Sequence, residues 1–224
     1  RVEVINGPSA SEGVGAAGGI INYISRTPTQ KGTEVTLSSQ YRTQFEDDSE
    51  SWRLGFNVAH LEDDYDLVLA ASFAETGIGY DADGRRIGLG TSGSAMDSES
   101  DNLFIKVGTN FGDQDEQRLE LSLSRFNIAG QGNYILVDGD RETGLSSTSE
   151  PGRPLGARAS FNDFSQQSLT YTNDDFLGGS FWVQYYRADQ GMRYEAENSI
   201  DKQDPLIAPI ALDENGVPLS DFPL

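Results

Sequence analysis

From about Thr33 onward the chain alternates apolar and polar residues in short runs, with turn-rich segments between them. Val35, Leu37, Ser39 and Tyr41 fall on one parity, and Thr36, Ser38, Gln40 and Arg42 on the other. The next run, Trp52 to Leu61, sets Trp52, Leu54, Phe56 and Val58 against Arg53, Gly55, Asn57 and Ala59. A period of two is that of a strand with two unlike faces. It returns at Tyr65 to Glu75, at Leu103 to Phe111, through Leu119, Leu121 and Leu123, at about Phe164 to Tyr171, and at Ser180 to Ala188. About seven strands are predicted.

The segments between them alternate in length. Those at 62–64, 112–117 and 173–178 are short, and those at 45–51, 76–101, 129–160 and 189–224 are longer. Segment 76–101 is rich in Gly and Ser and is expected to be flexible. The Pro and Gly content of 129–160 argues against a strand inside it. Barrels that cross an outer membrane have short turns on one side and long loops on the other. A soluble antiparallel sandwich shows the same alternation but has less reason for this strict order.

The first stretch, Arg1 to Pro28, has a strand-like run from Arg1 to Ile5, a loop of small residues, and a β-type run from Ile20 to Ser25. Gly13 to Gly18 spells G-x-G-x-x-G. A dinucleotide-binding turn needs a strand immediately before those glycines and a helix immediately after. Here the preceding run ends at Ile5, and Ile20-Ile21-Asn22-Tyr23-Ile24 favours a strand. The glycines instead permit positive φ and close backbone packing.

Arg1, Glu3, Gly7, Pro8, Gly13, Ala16, Gly18, Gly19, Ile21, Asn22 and Arg26 together form R-x-E-x-x-x-G-P, a small-residue loop, G-x-x-A-x-G-G-x-I-N and a basic residue ahead of Pro28. This order resembles the end of the plug domain of TonB-dependent outer-membrane receptors. Glu12 stands where that family usually carries an aromatic. The resemblance implies an all-β fold, an incomplete transmembrane antiparallel β-barrel. It would comprise about seven strands of a plugged barrel of roughly 22, preceded by the C-terminal part of the plug. Residues 1–30 would end the plug and 31–224 would begin the barrel, with the short turns periplasmic.

The function so implied is TonB-dependent active transport of a scarce ligand across the bacterial outer membrane. In that family the ligand is most often a ferric siderophore, with cobalamin, haem or oligosaccharide as alternatives. The implied partners are an inner-membrane TonB complex that pulls on the plug, the ligand, and outer-membrane lipid. No bond is made or broken, so no enzyme is expected. Arg1 and Glu3 would meet opposite charges on the barrel wall, as plug strands in the family do. A passive porin or adhesin-like barrel and a soluble β-sandwich binding module are the rivals from other classes.

Composition narrows the chemistry. A net charge of −20 argues against nucleic acid as a partner. The acidic residues gather at 46–50, 62–66, 113–116 and 213–214, where solvated turns are expected. No run approaches the roughly 18 apolar residues of a spanning helix. The absence of cysteine removes disulfides and thiolate sites, and a single histidine, His60, removes His clusters and a Ser-His-Asp triad. His60 ends a strand and is expected at a barrel interface.

Asp81-Ala82-Asp83-Gly84 begins like a calcium loop, but Arg85 and Ser92 occupy positions that need acids. It is read, with Asp138-Gly139-Asp140, as incidental loop carboxylate. No metal site or cofactor is expected. The chain opens inside a motif and closes in a Pro-containing segment, so it is expected to be part of a longer protein. For ligand contact the outer loops offer Tyr80, Arg85, Arg86, Tyr134, Arg141 and Tyr194. Arg and Tyr suit anionic complexes that carry flat aromatic or hydroxamate groups.

Overall fold

A computed structural model of the chain describes residues 2–6, 19–89, 95–140, 142–153 and 159–193. Every regular element among them is a β-strand. β1 (Val2–Asn6) and β2 (Gly19–Tyr23) form an antiparallel pair that aligns Glu3 with Asn22. The main sheet comprises β3 (Gly32–Arg42), β4 (Ser51–Leu61), β5 (Tyr65–Thr76), β6 (Ser98–Phe111), β7 (Gln117–Gly130), β10 (Phe161–Phe176) and β11 (Gly179–Arg193). Its order is β11-β10-β7-β6-β5-β4-β3, with each strand antiparallel to its neighbours.

All seven expected strands are present, and several run longer than their apolar alternation. β11 continues through Arg187 and Asp189 to Arg193, because the backbone ladder with β10 persists where side chains turn polar. One expectation fails. The segment 129–160 does contain strands, β8 (Tyr134–Val137) and β9 (Thr148–Pro151), paired as a small hairpin. Pro151 is tolerated because β9 is an edge strand of a two-stranded ribbon.

The apolar parity of this sheet does not follow a hydrogen-bonded row. Leu54, the middle of the exposed apolar run in β4, shares a row with Phe73, Asp101, Asn127, Asp163 and Gly191. In β11 the exposed run Phe181, Val183, Tyr185 is centred about eight residues before Gly191, five strand-to-strand steps away. With ~3.3 Å per residue and ~4.8 Å between strands, the band shifts by roughly 5 Å per step. That slope is roughly 45°, the tilt at which strands cross a bilayer in a transmembrane barrel. A level belt of apolar side chains on tilted strands must cut obliquely across the rows, and this one does.

Aromatic rings border the belt. Phe111, Tyr171, Phe181 and Phe176 form a chain of tilted contacts with centroids 5.3–6.5 Å apart, beside the short turns. His60 joins this edge, with its ring 5.4 Å from that of Tyr65 and its nitrogens bonded to the Thr33 and Tyr65 hydroxyls at 2.7 and 3.1 Å. Between β10 and β11 the turn is Leu177-Gly178, both with positive φ, the geometry of a tight hairpin.

The opposite face is buried and mixed, with Ala59, Val68 and Ala74 beside Asp66 and Lys106. The linker that follows β2 lies on this side, tied by a bond from Lys106 Nζ to Thr27 Oγ1 of 2.8 Å. The sheet is not closed. β3 and β11 are its free edges and are exposed along nearly their whole lengths. Open edges in lipid would leave backbone groups unsatisfied, so this sheet is one stretch of a barrel wall.

Candidate functional site

At the long-loop end the connections fold on one another. Ser49 Oγ organises the β3–β4 turn by accepting from the amides of Gln44 and Glu46, at 3.1 and 3.3 Å, and donating to the Glu46 carbonyl at 2.7 Å. The Gln44 side chain then clips the next loop from both directions, donating to the Tyr80 carbonyl at 2.9 Å and accepting from its amide at 2.8 Å. The Tyr80 hydroxyl donates to the Asp47 carbonyl at 2.8 Å, and the Ile78 amide to that of Asp48 at 2.6 Å. Only glycine fits at Gly77, where a Cβ would lie 2.2 Å from the Asp48 carbonyl oxygen.

Residues 79–87 close a hairpin-like turn, with Tyr80 bridged to Arg86 and the Ile87 amide 2.9 Å from the Gly79 carbonyl. Asp81 caps it, its Oδ1 accepting from the amides of Asp83 and Arg85 at 3.0 and 2.9 Å. Asp140 does the same for its own turn, accepting from the Glu142 amide at 2.8 Å. The calcium-like carboxylates thus serve backbone N–H groups. Among the described residues no three His, Cys, Asp or Glu side chains converge to hold a metal.

The turn docks on β9 through hydroxyls. Thr148 Oγ1 donates to the Arg86 carbonyl and Ser149 Oγ to that of Ile87, each at 2.7 Å, while Ser149 accepts from the Leu89 amide at 2.8 Å. Arg85 donates to the Ser146 carbonyl at 3.0 Å. Beneath this seam Ile78, Tyr80, Leu89 and Tyr134 are buried together, with Met96 packed against them. The described part of 76–101, expected to be flexible, therefore has a core of its own.

Arg86 lies between two rings, its guanidinium carbon 5.7 Å from the Tyr80 centroid and 5.6 Å from that of Tyr134. Burial disfavours its charge, but Tyr80, Tyr134 and Asp48 together outweigh that and hold its pKa above the usual arginine value. The Tyr134 hydroxyl bonds the Asp48 carboxylate. Burial, with Asp48 accepting the phenolic proton, pushes Tyr134 up to about 12. Beside this cluster opens a cavity of about 540 Å³ whose walls include Asp48, Glu50, Glu75, Asp97, Trp52 and Tyr134.

On the inner face a second cluster forms. Arg118 reaches Asp66 at 2.8 Å, Glu120 at 3.0 Å and the Asn110 side-chain oxygen Oδ1 at 3.1 Å. It lies flat over Gly108, where a Cβ would stand 2.0 Å from its Nη2. The linker is tied at three points, Arg26 to Glu34 at 2.8 Å, Thr27 to Lys106, and Lys31 to Asp63, with Pro28 buried between.

Of the residues nominated from sequence, Tyr80, Arg86 and Tyr134 are brought together, with Arg85 adjacent. Glu3, Gly19 and Asn22 lie in the β1–β2 pair. Arg1, Gly7, Pro8, Gly13, Gly18, Arg141 and Tyr194 lie outside the described residues. Sequence reasoning missed Gln44, Asp48, Lys106 and the Asp66–Arg118 pair. An inward-parity charge in an apolar strand was the available signal for Asp66 and Lys106.

No family model matches the sequence. Over 198 residues the chain is 26% identical to a rhizobactin receptor of Rhizobium meliloti (strain 1021), covering 85% of this chain and 26% of that protein. It thus spans about a quarter of the length of the curated relative it matches. Among solved structures, a mutant ferric enterobactin receptor from Pseudomonas aeruginosa, in complex with enterobactin, superposes with a TM-score of 0.50 at 20% identity. That match covers 96% of this chain and 30% of the other. Sequence likeness, barrel-wall fold and the plug-end pattern agree, and all three are similar to those of TonB-dependent receptors.

Proposed function

We propose that the protein containing this segment carries a ferric siderophore inward across the bacterial outer membrane, driven by an inner-membrane TonB complex that pulls on its plug. The observation that carries the reading is the oblique apolar belt on one face of the sheet, with the plug-end linker tied to the other. A wall built this way sits in lipid and faces an occupied lumen. The names of the relatives, a rhizobactin receptor and a ferric enterobactin receptor, support a siderophore as the cargo.

In this reading residues 1–30 end the plug and 31–224 begin the barrel, and Arg1 and Glu3 belong to the plug–barrel contact. The linker is tied to Glu34, Lys106 and Asp63, so force applied upstream meets the wall first through Arg26 and Thr27. The outer loops carry the ligand surface, with Tyr80, Arg85, Arg86, Tyr134, Arg141 and Tyr194 within or beside it. The protein works as a transporter without covalent chemistry. The test is growth with ferric siderophores as sole iron source. Disrupting the gene should abolish growth on one of them, and equal growth on all of a panel including ferric enterobactin and ferric rhizobactin would contradict the proposal.

A further inference from the structure

We infer that Arg86 is a positioning residue that couples the loop after β5 to the β8–β9 hairpin, so that the two meet a ligand as one body. These segments are well separated in sequence, yet Arg86 on one stacks against Tyr134 on the other while also facing Tyr80 of its own loop. Its Nε is buried without a hydrogen-bond partner. An N–H left unpaired in this way is tolerated only if the rest of the side chain is well held, and the two rings do that. A guanidinium is flat and can lie against two aromatic faces at once, whereas a lysine ammonium is a compact point charge.

Three of the surrounding bonds cross the same seam, and a fourth ties the hairpin to a neighbouring turn. Thr148 and Ser149 hold the carbonyls of Arg86 and Ile87, Arg85 holds that of Ser146, and the Tyr134 hydroxyl reaches Asp48 on the β3–β4 turn. The half-buried Arg86 sits at their centre, which suits a pin better than a group displayed to cargo. A ligand that touches either segment therefore meets a surface already fixed by the other, and association loses little to loop ordering. This consequence for affinity rests on the siderophore-receptor reading; the coupling itself does not.

The test is hydrogen exchange on the full receptor without ligand, following residues 77–89 and 134–151. Arg86→Ala should speed exchange in both segments together, by roughly tenfold or more, while β4 to β7 keep their protection. Tyr134→Leu keeps the core filled but removes the facing ring, and should give the same paired rise. A tether offers rescue: a Cβ on Gly88 lies 2.9 Å from that of Ser147. An opening of about 1 Å accommodates a disulfide there. Oxidised Gly88→Cys/Ser147→Cys should restore protection in the Arg86→Ala background, and reduction should remove it. No rise in exchange, or a rise confined to 77–89, would overturn the inference. Failure of siderophore uptake would leave this result standing, and the reverse also holds.

Discussion

Replacing Arg118 by Met isolates the energetics of the inner wall. Asp66 has a side chain only 3% exposed, with Oδ2 2.8 Å from Arg118 and Oδ1 buried without a partner. Met fills the stem of Arg118 but strands that carboxylate. Breaking a buried ion pair from one side costs about 3–5 kcal/mol. Arg118 is 26% exposed and Glu120 30%, so water relieves part of the strain, and about 3 kcal/mol is expected. The double variant Arg118→Met/Asp66→Asn removes the stranded charge and should cost only about 1 kcal/mol. The assay is urea unfolding of the full receptor in phospholipid vesicles, followed by tryptophan fluorescence. A loss below about 1 kcal/mol for Arg118→Met, or a double variant as costly as its two single changes added, would refute the reasoning.

Three further outcomes follow from the belt, the turn and the outer cluster. Leu54→Arg and Val183→Arg, which lie in the belt, should each cost about 2–4 kcal/mol in vesicles, and Ser165→Arg, on the same face above it, about 0–1 kcal/mol; equal costs would remove the oblique belt. Leu177 holds a positive φ beside Gly178 and is exposed, so Leu177→Asn should stabilise the hairpin by about 0.5–1 kcal/mol in the same unfolding assay. The Tyr134 phenol is pushed from 10.0 to about 12, so it retains its proton in the folded protein after the unfolded chain has lost it. Its stabilisation is complete below pH 10 and falls away towards pH 12, and exchange of 134–151 should show that loss in the wild type and not in Tyr134→Phe.

The wall was legible because a strand with one apolar and one polar face must alternate, and Leu54, Phe56 and Val58 against Arg53, Asn57 and Ala59 leave no other period. Strand ends were less so, since β11 continues through Arg187 and Asp189, where polar side chains erase the alternation while the ladder goes on. The β8–β9 hairpin escaped notice because it packs on the preceding loop, and Tyr134 and Ser149 are buried by residues more than forty positions away. At the outer site the residue types were right and their partners invisible. Nothing local to Arg86 announces that Tyr134 will lie over it, and nothing near Asp48 announces the Tyr134 hydroxyl.

Energised uptake is most directly measured with radioiron-loaded siderophore in cells that carry the full receptor, before and after collapse of the proton-motive force. Surface binding should persist while internal radioiron stops accumulating, and removing the TonB complex should reproduce that split. Accumulation that continues unchanged without the proton-motive force would make this wall part of a passive pore and contradict the account.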